Sequence, residues 1–385
     1  MTTDISITAI RSISPLGHDP SNILNAYRSG RHFLTQTGDD EALVWAGVLP
    51  QELKSMVNRL RSSESRYRSL DESVLFAILA ARAAVADAGW SERSSFGINI
   101  GSSRGATTLF EQHHAEFMAT GKARTLASPV TTLGNISSWV SHDLQSDGPE
   151  ISHSITCSTS LHAMLNGIAW LRGGMADKFL VGGSEAPLTP FTIAQMQAMK
   201  IYSKEFGAFP CLAGDFPKTS NTMVLGEGAS ICCLETGVTE NALALVKGIG
   251  YATELLEHST SISAEADCFV KSMSMACEGI SPGDIDVIVM HAPGTIKGDR
   301  SEYNAICKLF GDDLPMLTTN KWLTGHTFGS SGMLSIEMAI LMLQQNAFFP
   351  VPFMPQQVQK NDLKNILVNS VGFGGNAVSI LISRV

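Results

Sequence analysis

Strand-length apolar runs alternate with helical patterns along nearly the whole chain, and no other feature restricts the fold as much. An apolar strand over 5–13, a helix over 21–30, a long helix over 71–89 and a strand over 97–101 open the series. Strand-like 151–156, a helix over 158–171 and strands over 179–182 and 229–234 follow. A second series starts with a strand at 244–251, a helix at 263–278 and a strand at 286–291. It continues with helices at 301–310 and 331–344 and closing strands at 366–369 and 377–383. Such alternation predicts an α/β protein with mainly parallel pairing. Both series contain a long helix and then an apolar strand ending in small residues, FGINIGSSRG near 100 and DIDVIVMHAPGT near 290, which points to an internal duplication. The halves, 1–235 and 236–385, have no polar linker between them and are expected to share one extensive interface. The stretch 187–222, with prolines at 187, 190, 210 and 217, reads as an irregular loop of the kind that covers sites.

With 385 residues, 44% of them hydrophobic, the chain can bury a large core. Its 27 basic and 36 acidic side chains give a formal charge of −9, which repels phosphate backbones and disfavours nucleic-acid binding. The N-terminal sequence carries Asp4 and no basic run before an apolar one, so it does not read as a signal peptide and a cytoplasmic location is expected. The most apolar stretch, 73–90, is interrupted by Arg82 and Asp87, and no membrane span is expected. Seven cysteines contain no C-x-x-C pair, so neither a disulfide framework nor a zinc site is read, and no metal is expected. The question becomes whether one cysteine is reactive.

Cys157 stands between the strand-like run ISHSIT and a helix whose Leu161, Leu165, Ile168 and Ala169 recur at helical spacing. A cysteine at such a helix start meets free N–H groups and the helix dipole, which are expected to lower its pKa and can hold an oxyanion. His291 ends the strand VIVM and opens APGT, at the carboxyl end of a strand, where ligands of α/β sheets collect. His326 lies in the Gly- and Ser-rich turn KWLTGHTFGSSG. The other eight histidines, His258 among them, read as surface or structural. The cluster NSVGFGGN neither opens a helix nor forms a P-loop, so it reads as backbone lying close to a substrate.

Taken in order, these motifs resemble those of the β-ketoacyl synthase family of condensing enzymes. The resemblance rests on ITAIRSISPLG, TCSTSLHAMLNGIAWLRGGMADKFLVGGSEA, VLGEGASICCLE, HAPGTIKGDRSE, NKWLTGHTFGSSG and NSVGFGGNA. It implies a thiolase-like fold, two duplicated βαβαβαββ halves in a five-layer αβαβα sandwich. The first half would carry the nucleophile and the second the histidines. The two histidine contexts match the elongating Cys-His-His type rather than Cys-His-Asn initiating synthases, and GFGGN lacks the second cysteine of thiolases.

By the resemblance, Cys157 would carry an acyl group as a thioester, and His291 and His326 would hold the thioester oxygen of malonyl carrier protein while carbon dioxide leaves. The N–H groups of Cys157 and Phe373 would form the oxyanion hole, and Phe373 would act as a gate. Lys321 would orient the histidines, Glu302 would anchor their loop through charge pairing, and Thr295, Gly374 and Gly375 would support the site. No cofactor is implied beyond the phosphopantetheine arm of the acyl carrier protein, the expected partner. A homodimer, or a heterodimer with a related subunit, is also implied.

Several positions depart from the family pattern. Ala292 and Pro293 stand where Gly and Thr are usual, Trp322 replaces a Ser, and Ser335 replaces an acidic residue, with Glu337 on another helix face. Val371 replaces a Phe, and DFPKTSNTM replaces a P-F-D and R-D-G-F segment. These changes bear on acyl specificity and carrier docking, and they place polyene, polyketide or pigment synthesis beside fatty acid synthesis. The alternative is a chain-length-factor-like partner subunit of another ketosynthase.

Overall fold

The computed structural model describes residues 4–38, 43–90, 95–133, 135–255, 262–355, 360 and 362–385. In chain order its strands are β1 (Ile5–Ile13), β2 (Thr35–Thr37), β3 (Val44–Gly47), β4 (Gly97–Gly101), β5 (Glu150–Ile151), β6 (Lys178–Glu185), β7 (Leu225–Gly226) and β8 (Gly228–Thr236). The second half adds β9 (Ala244–Thr253), β10 (Val287–Val289), β11 (Met316–Thr318), β12 (Asn365–Gly372) and β13 (Asn376–Ser383). The helices are α1 (Pro20–Arg28), α2 (Gln51–Ser63), α3 (Glu72–Asp87), α4 (Thr107–Thr120), α5 (Ala127–Thr131) and α6 (Asn135–Leu144). They continue with α7 (Thr159–Arg172), α8 (Pro190–Ala198), α9 (Asp267–Ala276), α10 (Ile296–Phe310), α11 (Lys321–Thr324) and α12 (Ser331–Gln345).

Two five-stranded sheets dominate, ordered β1-β8-β6-β4-β5 and β9-β13-β12-β10-β11. Counted within its own half, each sheet runs first, fifth, fourth, second, third. In each, two antiparallel pairings are followed by two parallel ones. Duplication is therefore visible in topology although it is faint in residue identity. Pairing is evenly mixed rather than mainly parallel. The three residues between β12 and β13 can close only an antiparallel hairpin, because a parallel return needs a crossover many times longer.

Between the sheets lie α7 and α12, each touching strands of both. Their apolar residues do not form one stripe, because a helix covered on both sides has no polar face to keep. Strand alternation sorts the core: Phe179 and Val181 face this central layer, whereas Leu180 faces α3. Helices α3 and α6 cover the outer face of the first sheet and α9 that of the second, with α10 against α9, completing the αβαβα sandwich of the thiolase fold. No helix among the described residues is long and apolar enough to cross a membrane.

Local boundaries differ from expectation at several places. Of the run 151–156 only Ile151 is strand, as the second residue of β5; beyond it, polar side chains compete for the backbone, Ser137 Oγ donating to the Ile151 carbonyl at 2.6 Å. The stretch 187–222 contains α8, started by Thr189, whose side chain accepts from Thr192 N, with Pro190 at the first helical position. Helix α10 begins five residues before the expected 301, at a cap formed by Thr295. The third, small sheet, β2-β3-β7, has strands of three, four and two residues, too short for an alternating pattern to stand out in the sequence.

Candidate active site

Cys157 sits in a single 3₁₀ turn, Thr156–Ser158, that runs directly into α7. Thr156 has φ 45°, a costly conformation for a β-branched residue, so neighbours must hold the turn. The Ile155 N–H donates to Thr159 Oγ1 at 2.9 Å, and the His153 ring bridges Asn99 Oδ1 and the Thr159 carbonyl. From the second half, Ser370 Oγ donates to the Cys157 carbonyl at 3.1 Å. β12 can lie this close because its last residue is Gly372: a Cβ there would run into the Thr156 side chain and the Ile155 carbonyl.

His291 follows β10 and is buried against His326, with ring centroids 5.3 Å apart and planes at 80°. Two carboxylates on the first turns of α10 hold its loop. Glu302 accepts from His291 N at 2.9 Å, Ala292 N at 2.8 Å and Asn369 Nδ2 at 3.1 Å. Asp299 accepts from Gly294 N and from Gly214 N, and it forms a 2.6 Å ion pair with Lys218 in the interior. Ala292, in a position where the family usually has Gly, takes φ 27°, so the carboxylate clamp holds a turn that alanine disfavours. His326 is pinned through its backbone: its N–H donates to the Val224 carbonyl at 2.6 Å and its carbonyl accepts from Gly226 N.

Burial decides the protonation states. It pushes the Cys157 thiol up to about 12; Glu185 adds to the rise, and Lys321 and Arg104 oppose it. The lowered thiol pKa expected from the helix start is thus overturned, because removing a thiolate from water outweighs the helix N–H groups. Burial also pushes both imidazoles well below their ordinary value, and the charge on Lys321 adds to this, so each is neutral at pH 7. Lys321, itself 1% exposed, is pulled down by burial and held up by Glu302, whose carboxyl burial raises.

Elsewhere burial raises Glu185, Glu227 and Glu337 from 4.5 to about 7. In each case the folded state binds the proton more tightly than the unfolded chain does. The stability is therefore fully present below about pH 4.5 and is lost as pH climbs through about 7, each group contributing a slope of up to about 1.4 kcal/mol per unit. Denaturant midpoints are expected to fall between pH 5 and pH 8; a midpoint that rises over this window contradicts these carboxyl environments.

A cavity of about 260 Å³ reaches Cys157 from the surface. It is lined by Cys157, His291, His326, Pro293, Thr295, Phe328, Met223, Ile201, Val371 and Phe373, so the cysteine and both histidines share one space. Phe373 stands 38% exposed on the β12–β13 turn, where Gly374 and Gly375 supply φ 101° and 69°. Thr295 faces the cavity while its oxygen caps α10 by accepting from Gly298 N. Charge pairing is the role expected of Glu302 on the histidine loop; in the structure its carboxylate accepts the backbone N–H groups of His291 and Ala292.

Trp322 does not reach the cavity and packs on Phe209 and Phe353. Ser335 bonds to the Ser331 carbonyl, and Glu337 turns away to accept from Ser12. His258 lies outside the described residues. Residues the sequence reading passed over include Glu185, Arg104, Asp299 and Lys218. Asp299 could have been found from its spacing, since three residues before Glu302 places both on one face of a helix. Glu185 at a strand end has no such signal.

A neutral cysteine and two neutral imidazoles around an apolar cavity, on a duplicated αβαβα scaffold, define a class of enzymes working on acyl thioesters. The comparisons with known proteins narrow the class. Residues 2–239 match the family model "Beta-ketoacyl synthase, N-terminal domain" and residues 243–353 match "Beta-ketoacyl synthase, C-terminal domain". The chain belongs to the β-ketoacyl synthase family and is a condensing acyltransferase. It is 27% identical to 3-oxoacyl-[acyl-carrier-protein] synthase 2 of Coxiella burnetii, over 99% of this chain and 98% of that protein. Among solved structures it is similar to a β-ketoacyl synthase from Burkholderia phymatum, with a TM-score of 0.85, 21% identity and full coverage of both chains. The ishigamide ketosynthase/chain length factor gives a TM-score of 0.84 at 20% identity, again over all of both chains.

Proposed function

We propose that this protein joins an acyl group held on Cys157 to malonyl carrier protein, with loss of carbon dioxide, to give a β-ketoacyl carrier protein. In the first half-reaction the Cys157 sulfur attacks the acyl thioester carbonyl. The carbon–sulfur bond to the pantetheine arm breaks, and the thiol proton passes to the departing sulfur. In the second, the bond between the malonyl carboxylate and its α-carbon breaks, releasing carbon dioxide and leaving an enolate. Neutral His291 and His326 each donate a ring N–H to the enolate oxygen, stabilising the charge that develops there. The carbanion forms a carbon–carbon bond to the acyl carbonyl, whose oxyanion rests on the N–H groups of Cys157 and Phe373, and the Cys157 sulfur leaves and regains a proton. Lys321 supplies positive potential beneath the site.

The single observation that carries this reading is the convergence of Cys157, His291 and His326 on one cavity. The steps balance without a metal or a redox group, the phosphopantetheine arm serving as substrate carrier. We place the reaction in the cytoplasm, in fatty acid, polyene or polyketide-type synthesis, carried out by a homodimer or beside a related subunit. A non-condensing, chain-length-factor-like role is not favoured, because such a subunit has no use for a cysteine and two histidines at one cavity.

Intact and peptide mass spectrometry after incubation with acyl carrier-protein thioesters tests the proposal. An acyl mass on the Cys157 peptide, absent in Cys157→Ala and discharged as a β-ketoacyl product by malonyl carrier protein, is the expected result. Folded protein that takes no acyl group from any donor overturns it.

A further inference from the structure

Behind Cys157 the cavity meets an apolar wall. Cys157, Met196, Tyr202, Met223, Leu225 and Phe328 form one buried cluster, and Phe328, 3% exposed, borders both the cysteine's cavity and this cluster. We propose that Phe328 is the specificity-determining residue that limits the length of the acyl group on Cys157, admitting short chains and excluding long ones. The inference rests on the reading of Cys157 as the acyl carrier.

The ring is held rather than merely present. Phe328 has φ 42°, which a bulky residue adopts only when its surroundings enforce it. Its neighbour supplies part of that hold: the Gly329 N–H donates at 3.1 Å to the carboxylate of fully buried Glu185, which also accepts from Ser103 N. The His326 ring lies 5.6 Å from the Phe328 ring at 45°, and the Arg104 guanidinium lies 5.8 Å from its centroid, within cation–π range. Arg104 is in turn tied to Gln195 of α8.

Tyr202, the other ring of the wall, is fixed by donating its hydroxyl to the Trp45 carbonyl at 2.6 Å. Met196 and Met223 are the adaptable members, able to yield to a small group by changing rotamer. The cavity's 260 Å³ must take the end of the pantetheine arm as well as the acyl chain. A long chain therefore needs Phe328 to leave its place, and that movement breaks the contacts that enforce its backbone.

The test loads the protein with butyryl and octanoyl thioesters of N-acetylcysteamine and follows the Cys157 peptide by mass. Parent protein is expected to label with butyryl at least about tenfold faster than with octanoyl. Phe328→Ala is expected to raise the octanoyl-to-butyryl rate ratio at least about tenfold, with Phe328→Leu between the two. The Leu variant carries the test if the Ala variant does not fold. Parent protein that accepts octanoyl as fast as butyryl, or folded variants whose ratio equals the parent's, overturns the proposal. Absence of label from either chain on parent Cys157 removes the acyl-carrier reading and this inference with it, an outcome recognisable because the parent alone shows it.

Discussion

Alanine in place of His291 or His326 is expected to slow decarboxylation of malonyl carrier protein by about 10²–10⁴-fold, while Cys157 of each variant still takes up an acyl group. The separation follows from geometry and protonation. Both rings are neutral because burial and the charge on Lys321 disfavour the imidazolium, so each can offer an N–H to a developing enolate oxygen. Cys157, by contrast, is presented by a turn whose backbone bonds involve neither ring. Measuring carbon dioxide release beside acyl mass on the Cys157 peptide separates the half-reactions. Decarboxylation within a few-fold of the parent's in both variants would remove the histidines from the mechanism.

The second large effect belongs to Glu302. Glu302→Ala leaves the buried His291 N and Ala292 N without their acceptor, leaves Asn369 Nδ2 only its contact with Met273 Sδ, and deprives Lys321 of its main opposing charge. Breaking a buried arrangement of this kind typically costs about 3–5 kcal/mol, and each buried donor left unpaired costs about 1–3 kcal/mol. Chemical denaturation is expected to show a loss of that order. Glu302→Gln, which keeps one acceptor oxygen, should lose less than half as much. Because Ala292 is held in left-handed backbone by the same carboxylate, the Ala variant is also expected to lose condensation through a displaced His291. An Ala variant within about 1 kcal/mol of the parent would show that the loop needs no such anchor.

The same kind of buried polar group holds both loops of the site. Glu185 ties the turn after Phe328 to the Ser103 loop, Glu302 and Asp299 hold the histidine loop, and Lys218 joins Asp299 to the segment around Gly214. The segment DFPKTSNTM, one of those that depart from the family pattern, supplies the lysine of this interior ion pair.

Much was legible in the sequence because it is carried by local chemistry. Apolar alternation marked the long strands and helices, a turn between strand and helix marked Cys157, and a strand end and a glycine-rich turn marked His291 and His326. Each of these signals depends on residues a few positions apart, where backbone geometry alone sets which side chains share a face. What tertiary structure decided was everything governed by distance from water and by contacts across the chain. Burial, which no local pattern reports, turned an expected low-pKa cysteine into a resting thiol and kept both histidines neutral. Hydrogen bonds between distant segments shortened the strand before Cys157 and recruited groups such as Glu185, which accepts from Gly329 N, and the Lys218–Asp299 pair, 144 and 81 positions apart. A local pattern fixes which groups are offered; only the folded chain fixes how much water each retains and which partner replaces it.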